Sequence, residues 1–142
     1  MPVQFLTDDW AIALTVAANK HEAFKKEAAG QHAIFELTVA DSPAADVYHM
    51  AFSGDSFAVR LGAPTESADI KAALDYSTNV TMSRGALNGQ AAAMTGRMQV
   101  SGDMEKMMSL GKALDLLSSV EKDIDITYLT NKSVERTLRH DS

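Results

Sequence analysis

The sequence predicts an α+β fold with its elements in the order α-β-β-β-β-α-α-β-α. Three observations carry that reading: a capped, apolar-sided helix near the N-terminus, a run of alternating stretches between Ala33 and Tyr76, and a wide-faced helix after Asp103.

The first helix begins at Thr7, a residue suited to an N-cap, with Asp8 and Asp9 in the turn where carboxylates favour the dipole. Ile12, Val16 and Ala23, with Trp10, Leu14, Ala17 and Phe24, form its apolar side, and Gly30 ends it at about Ala29. Three strands follow. Ala33 to Val39 alternates with Phe35, Leu37 and Val39 on one face, and Asp41-Ser42-Pro43 breaks it. Val47–Ser53 and Ser56–Leu61 flank a tight turn at Gly54-Asp55, which reads as an antiparallel meander. Ala68 to Tyr76 is a fourth strand, with Asp69, Lys71 and Asp75 toward water. Thr78 and Asn88 then offer caps for two short helices.

Arg97 to Val100 is the fifth strand. Gly102 turns the chain and Asp103 caps a helix from Met104 to about Val120. Met104, Met107, Met108, Leu110, Ala113, Leu114, Leu116, Leu117 and Val120 occupy more than half of its circumference. One packing face needs a stripe of only roughly 100°. The excess fits an ordinary core helix, or one with a second apolar contact to a partner or a ligand. Methionines clustered in its first turns favour an adaptable contact. Beyond Val120 only Ile124, Ile126 and Tyr128-Leu129 keep a brief alternation, so residues 1–120 read as one domain and 121–142 as an extension packing on the domain or a partner.

Composition narrows the function. A chain of 142 residues with 46% hydrophobic and 23% charged content is long enough for a single well-packed core. Its net charge of −6 disfavours nucleic acid and anionic membranes as partners. The absence of cysteine excludes disulfides, thiolate catalysis and zinc–thiolate sites. The opening MPVQFLTDDW lacks a basic signal-like region, and the apolar run from Trp10 to Ala18 is too short for an integral membrane segment, so a cytoplasmic location is expected.

Catalytic motifs are missing. Gly96 and Gly102 bracket a segment followed by Asp103 where a phosphate loop needs Lys-Ser/Thr. Gly54-Asp55-Ser56-Phe57-Ala58 misses a nucleophile elbow at its last residue. His21, His32, His49 and His140 lie in separate elements without metal-ligand spacing, and no carboxylate pair can be inferred. Arg84 is either a head-group contact or the end cap of its helix. No catalytic residue, metal or cofactor is therefore assigned.

Gly96-Arg97-Met98-Gln99-Val100-Ser101-Gly102-Asp103-Met104, running into the apolar helix, resembles the hallmark segment of the sterol carrier protein 2 domain family. The acidic fourth strand, the short helix ending at Arg84-Gly85 and Leu87 to Ala93 are similar to that family's middle section, and the resemblance spans roughly Leu6 to Val120. Arg97 stands where lysine is common, and Arg139-His140-Asp141-Ser142 replaces the peroxisomal Ser-Lys-Leu address of some members. The resemblance implies a twisted five-stranded sheet covered by helices, with an apolar tunnel between them. It also implies a non-enzymatic carrier of fatty acid, fatty acyl-CoA, sterol-like or other apolar ligands. The residues expected to line the tunnel are Leu87, Ala92, Met94, Met98, Met104, Met107, Met108, Leu110, Leu114 and Leu117. A homodimerising module, or an accessory subunit presenting a lipid or quinone to an enzyme, is the competing expectation.

Overall fold

The structure, a computed structural model, describes residues 2–129. The elements run β1 (Val3–Gln4), α1 (Asp8–Lys20), α2 (Glu22–Ala28), β2 (His32–Ala40), β3 (Val47–Ser53), β4 (Phe57–Leu61), β5 (Ile70–Asp75), α3 (Tyr76–Ser83), α4 (Gly89–Met94), β6 (Met98–Gly102), α5 (Met104–Glu121) and β7 (Ile126–Thr127). The expected order is present, with additions at both ends and a break in the first helix.

Five strands form one mixed sheet in the order β4-β3-β2-β5-β6. The β2-β3-β4 meander is antiparallel, β5 returns parallel to β2, and β6 pairs antiparallel to β5. Alternation puts Phe35, Leu37 and Val39 of β2, Tyr48, Met50 and Phe52 of β3, Phe57 and Val59 of β4, and Ile70, Ala72 and Leu74 of β5 into the core. The helices cover this face. Helix α5 packs chiefly against α1, α2 and α3 and meets the sheet mainly at β5, which leaves space beneath it.

Several boundaries differ from the sequence reading. The first helix is two. His21 adopts an extended conformation (φ −83°, ψ 110°), and its Nδ1 accepts the Phe24 N–H at 3.1 Å, capping α2. The change of direction sends Phe24 into an aromatic cluster with Phe52 and Phe57 at centroid distances of 6.3 and 4.9 Å. Ile12, Val16 and Ala23 are exposed, because the buried side of α1 is formed by Trp10, Ala11, Leu14 and Ala18. The polar residues of α1 have their own task. Asn19 exchanges two hydrogen bonds with the Phe57 backbone (2.8 and 3.1 Å), and the Val59 N–H donates to Thr15 Oγ1 at 2.9 Å. These contacts occupy backbone groups of β4 that an edge strand otherwise presents to other chains.

Helix α3 starts three residues earlier than expected and is capped by Asp75, which accepts the Thr78 N–H at 2.8 Å, so Asp75 is a cap and Thr78 is not. The Asn88 and Asp103 caps are present, accepting from Ala91 and Lys106. Asp69 is likewise bonded: it accepts the Ile34 N–H at 2.8 Å and pairs with Lys106 Nζ at 3.0 Å, interactions that hold its carboxyl below the usual range. Past α5, β7 pairs in parallel with β1, and Tyr128 packs on Phe5 at 5.1 Å. The polar run from Lys132 to Ser142 lies outside the described residues.

Candidate ligand-binding site

Between the sheet and α5 lies a cavity of about 540 Å³, within the roughly 300–1,000 Å³ usual for small-molecule sites. Its floor is Phe35, Leu37, Met50, Met98 and Val100 of the sheet, and Trp10, Leu14 and Met82 close one side. Its roof is α5, through Met104, Met107, Met108, Gly111, Leu114, Asp115, Leu117 and Glu121. At 100° per residue these positions span about half of the helix circumference. Ala113 and Val120, fully buried in the core, take up a separate arc, while the equally buried Leu110 falls between Leu117 and Glu121 in angle. The surplus apolar width of α5 therefore faces the cavity.

Seven of the ten residues expected to line a tunnel do border this space: Met94, Met98, Met104, Met107, Met108, Leu114 and Leu117. Leu110 and Ala92 do not, since each is completely buried in packed core, and Leu87 packs against that core from outside. Met94, Met104 and Met108 are exposed large apolar side chains. With Gln90 and Ala93 of α4 they form a rim, so the cavity opens between α4 and the first turns of α5.

The inner end is polar, a feature the sequence reading missed. Trp10, Tyr48, Asn79, Ser83 and Glu121 all border the cavity and all are buried. Ser83 Oγ donates to Glu121 Oε2 and lies 2.8 Å from the Tyr128 hydroxyl. The Arg84 guanidinium sits 5.9 Å from the Tyr128 ring centroid, while the Arg84 backbone N–H closes α3 onto Val80. Burial drives the Glu121 carboxyl up to about 7, against smaller opposing effects from Ser83 and Trp10. Tyr48 is raised by burial, while its hydroxyl donates to Asn79 Oδ1 at 3.4 Å. That bond turns the amide so that its Nδ2 donor is left over. Asn79 Nδ2 is buried without a partner among the described residues, and Trp10 Nε1 is buried facing Glu121, whose carboxyl it holds lower, without a well-aligned hydrogen bond. A buried donor left without a partner costs about 1–3 kcal/mol.

Glu121 was legible in principle. It follows Leu114 and Leu117 at helical spacing, one residue past the expected end of α5. The buried positions of Phe35, Leu37 and Met50 were legible as core; nothing in their alternation marks them as cavity floor. Among the described residues, no three histidine or acidic side chains come together as a metal site, and no helix is long and apolar enough to cross a membrane.

Similarity to known proteins agrees with this architecture. The family model for the SCP-2 sterol transfer family matches residues 13–115. A solution structure from Thermus thermophilus, described as possibly a sterol carrier protein, is 19% identical with a TM-score of 0.73, over 87% of this chain and 91% of its own. A crystal structure of sterol carrier protein 2 is 20% identical with a TM-score of 0.70, over 84% of this chain and 98% of its own. The ubiquinone synthesis protein UbiJ-SCP2 is 20% identical with a TM-score of 0.56, over 80% and 91% of the two chains. No curated protein matches in sequence. With the family model covering well over half of its length, the chain belongs to the SCP-2 sterol transfer family, a lipid-binding and transfer domain.

Proposed function

We propose that this protein is a non-enzymatic carrier that holds one apolar molecule in the cavity beneath α5. The observation that carries the reading is the cavity itself: a space of about 540 Å³, lined largely by methionine, leucine and aromatic side chains, with an exposed methionine rim. Each methylene moved out of water contributes roughly 0.8 kcal/mol, so a long chain gains on the order of 10 kcal/mol before ordering costs. Met94, Met98, Met104, Met107, Met108, Leu114 and Leu117 are the proposed contacts. Their unbranched thioethers adapt to different shapes, which favours breadth over strict selection. Residues 1–120 act as the carrier domain in this reading. The segment after α5 braces its inner end through Tyr128.

The test is uptake by delipidated protein of labelled fatty acid, fatty acyl-CoA and sterol. Stoichiometric binding of any of them, lost in Leu114→Asp protein that remains folded, supports the carrier. Failure of every probe to bind contradicts it. A second reading, an accessory subunit that presents its ligand to a quinone-pathway enzyme, draws on the likeness to UbiJ-SCP2. It predicts recovery of a stable complex with such an enzyme.

A further inference from the structure

The inner end of the cavity carries more information than a hydrophobic tunnel needs. One buried donor, the Asn79 amide N–H, has no partner among the described residues, and the Trp10 indole N–H faces Glu121 without a well-aligned hydrogen bond; both side chains border the cavity. Both touch Tyr48. Tyr48 meets Trp10 edge to face at 5.3 Å and donates to Asn79 Oδ1. Core positions normally avoid such donors, because their lost hydration is recovered only when an acceptor arrives.

We infer that this end is a subsite for an uncharged oxygen of the bound molecule, a carbonyl or hydroxyl that accepts from Trp10 Nε1 and Asn79 Nδ2. The inference rests on the carrier reading and deepens it. Charge decides against an anionic head. The charged side chains bordering the cavity are Asp115 at its exposed side and Glu121 within it, both acidic, and no lysine or arginine among the described residues borders it. A carboxylate or phosphate drawn to the inner end would enter beside Glu121 without a countercharge. A neutral oxygen meets the free Asn79 donor and the loosely held Trp10 donor, and a hydroxyl can also donate to Glu121. Ser83, itself 2.8 Å from the Tyr128 hydroxyl, already donates to one oxygen of that carboxyl.

The experiment is displacement of the neutral fluorophore N-phenyl-1-naphthylamine by undecane, 2-undecanone, 2-undecanol and undecanoate at pH 8. Wild type, Asn79→Leu and Trp10→Phe proteins are compared, each verified as folded by its thermal transition. The readout is the affinity of each oxygenated probe relative to undecane in the same protein, which cancels changes in general apolar binding. The ketone and alcohol ratios are each expected to fall roughly tenfold in Asn79→Leu, the equivalent of one lost hydrogen bond, and to fall in the same direction in Trp10→Phe. Undecanoate is expected to bind more weakly than the ketone in wild type. If Trp10→Phe fails to fold, Asn79→Leu alone decides. Ratios that stay within about threefold of wild type, or a preference for undecanoate, overturn the subsite while leaving the carrier intact. Failure of the fluorophore and all four probes to bind wild type overturns the carrier reading instead.

Discussion

Glu121 sets a measurable property of the empty protein. Burial raises its carboxyl from an ordinary 4.5 to about 7, so between those values the folded protein holds a proton that the unfolded chain releases. Stability is therefore highest below about pH 4.5 as far as this group is concerned, falls as pH rises to about 7, and is flat above. At about 1.4 kcal/mol per unit the loss approaches roughly 3 kcal/mol. Chemical denaturation at pH 5 and pH 8 checks it: Glu121→Gln is expected to remove most of the difference, and an unchanged slope would assign the pH effect elsewhere. Gly102 is the second decisive residue. Its φ is +111°, and a Cβ built there lies 2.3 Å from the Asp69 carbonyl oxygen. That oxygen also accepts the Asp103 N–H at 2.8 Å. The Gly-Asp step thus joins two requirements, close approach to the end of β5 and a cap for α5. Gly102→Ala is expected to cost about 2–3 kcal/mol from strain and overlap, measurable as a lowered denaturation midpoint.

At the scale of elements, α5 does two jobs with one sequence. Leu110, Ala113 and Val120 anchor it in the core, and its methionine-rich arc roofs the cavity. The width of that arc was visible in the spacing of its residues; its purpose was not, because periodicity cannot separate a wall of packed atoms from a wall of empty space. The same limit explains Leu110 and Ala92, apolar residues in the right elements whose neighbours fill the space around them. The break at His21 was hidden for a different reason. A histidine cap and an extended dihedral leave no punctuation of the Gly or Pro kind, and the aromatic cluster that needs the break is built from strands far away in sequence. Gly111 offers a clean perturbation of α5. It borders the cavity, and a Cβ placed there meets nothing within 4 Å. Gly111→Phe is expected to fill the cavity while holding or improving stability, since glycine in a helix interior costs about 1 kcal/mol relative to alanine. A thermal transition at or above wild type, together with reduced ligand capacity, is the expected pair of results.

For the whole molecule, the layered plan follows from one sheet face being apolar and one helix standing off from it. The strands of the main sheet, their alternation and the Asp103 cap of α5 were readable because each depends on local spacing. The parallel return of β5 beside β2, the β1–β7 pairing and the polar inner end all depend on contacts between distant segments, which no local pattern encodes. Acidity is also expressed globally: the net charge is −6, and the two charged side chains that border the cavity, Asp115 and Glu121, are both acidic. The central claim is that this space is occupied by an apolar molecule. Native mass spectrometry of freshly purified protein, before and after addition of a labelled lipid panel, with Gly111→Phe alongside, tests it most directly. Wild type is predicted to show a mass excess of one apolar molecule, extractable into organic solvent, that is absent or much reduced in Gly111→Phe. Bare masses for both proteins under all conditions, or equal occupancy in wild type and the filled variant, would contradict it.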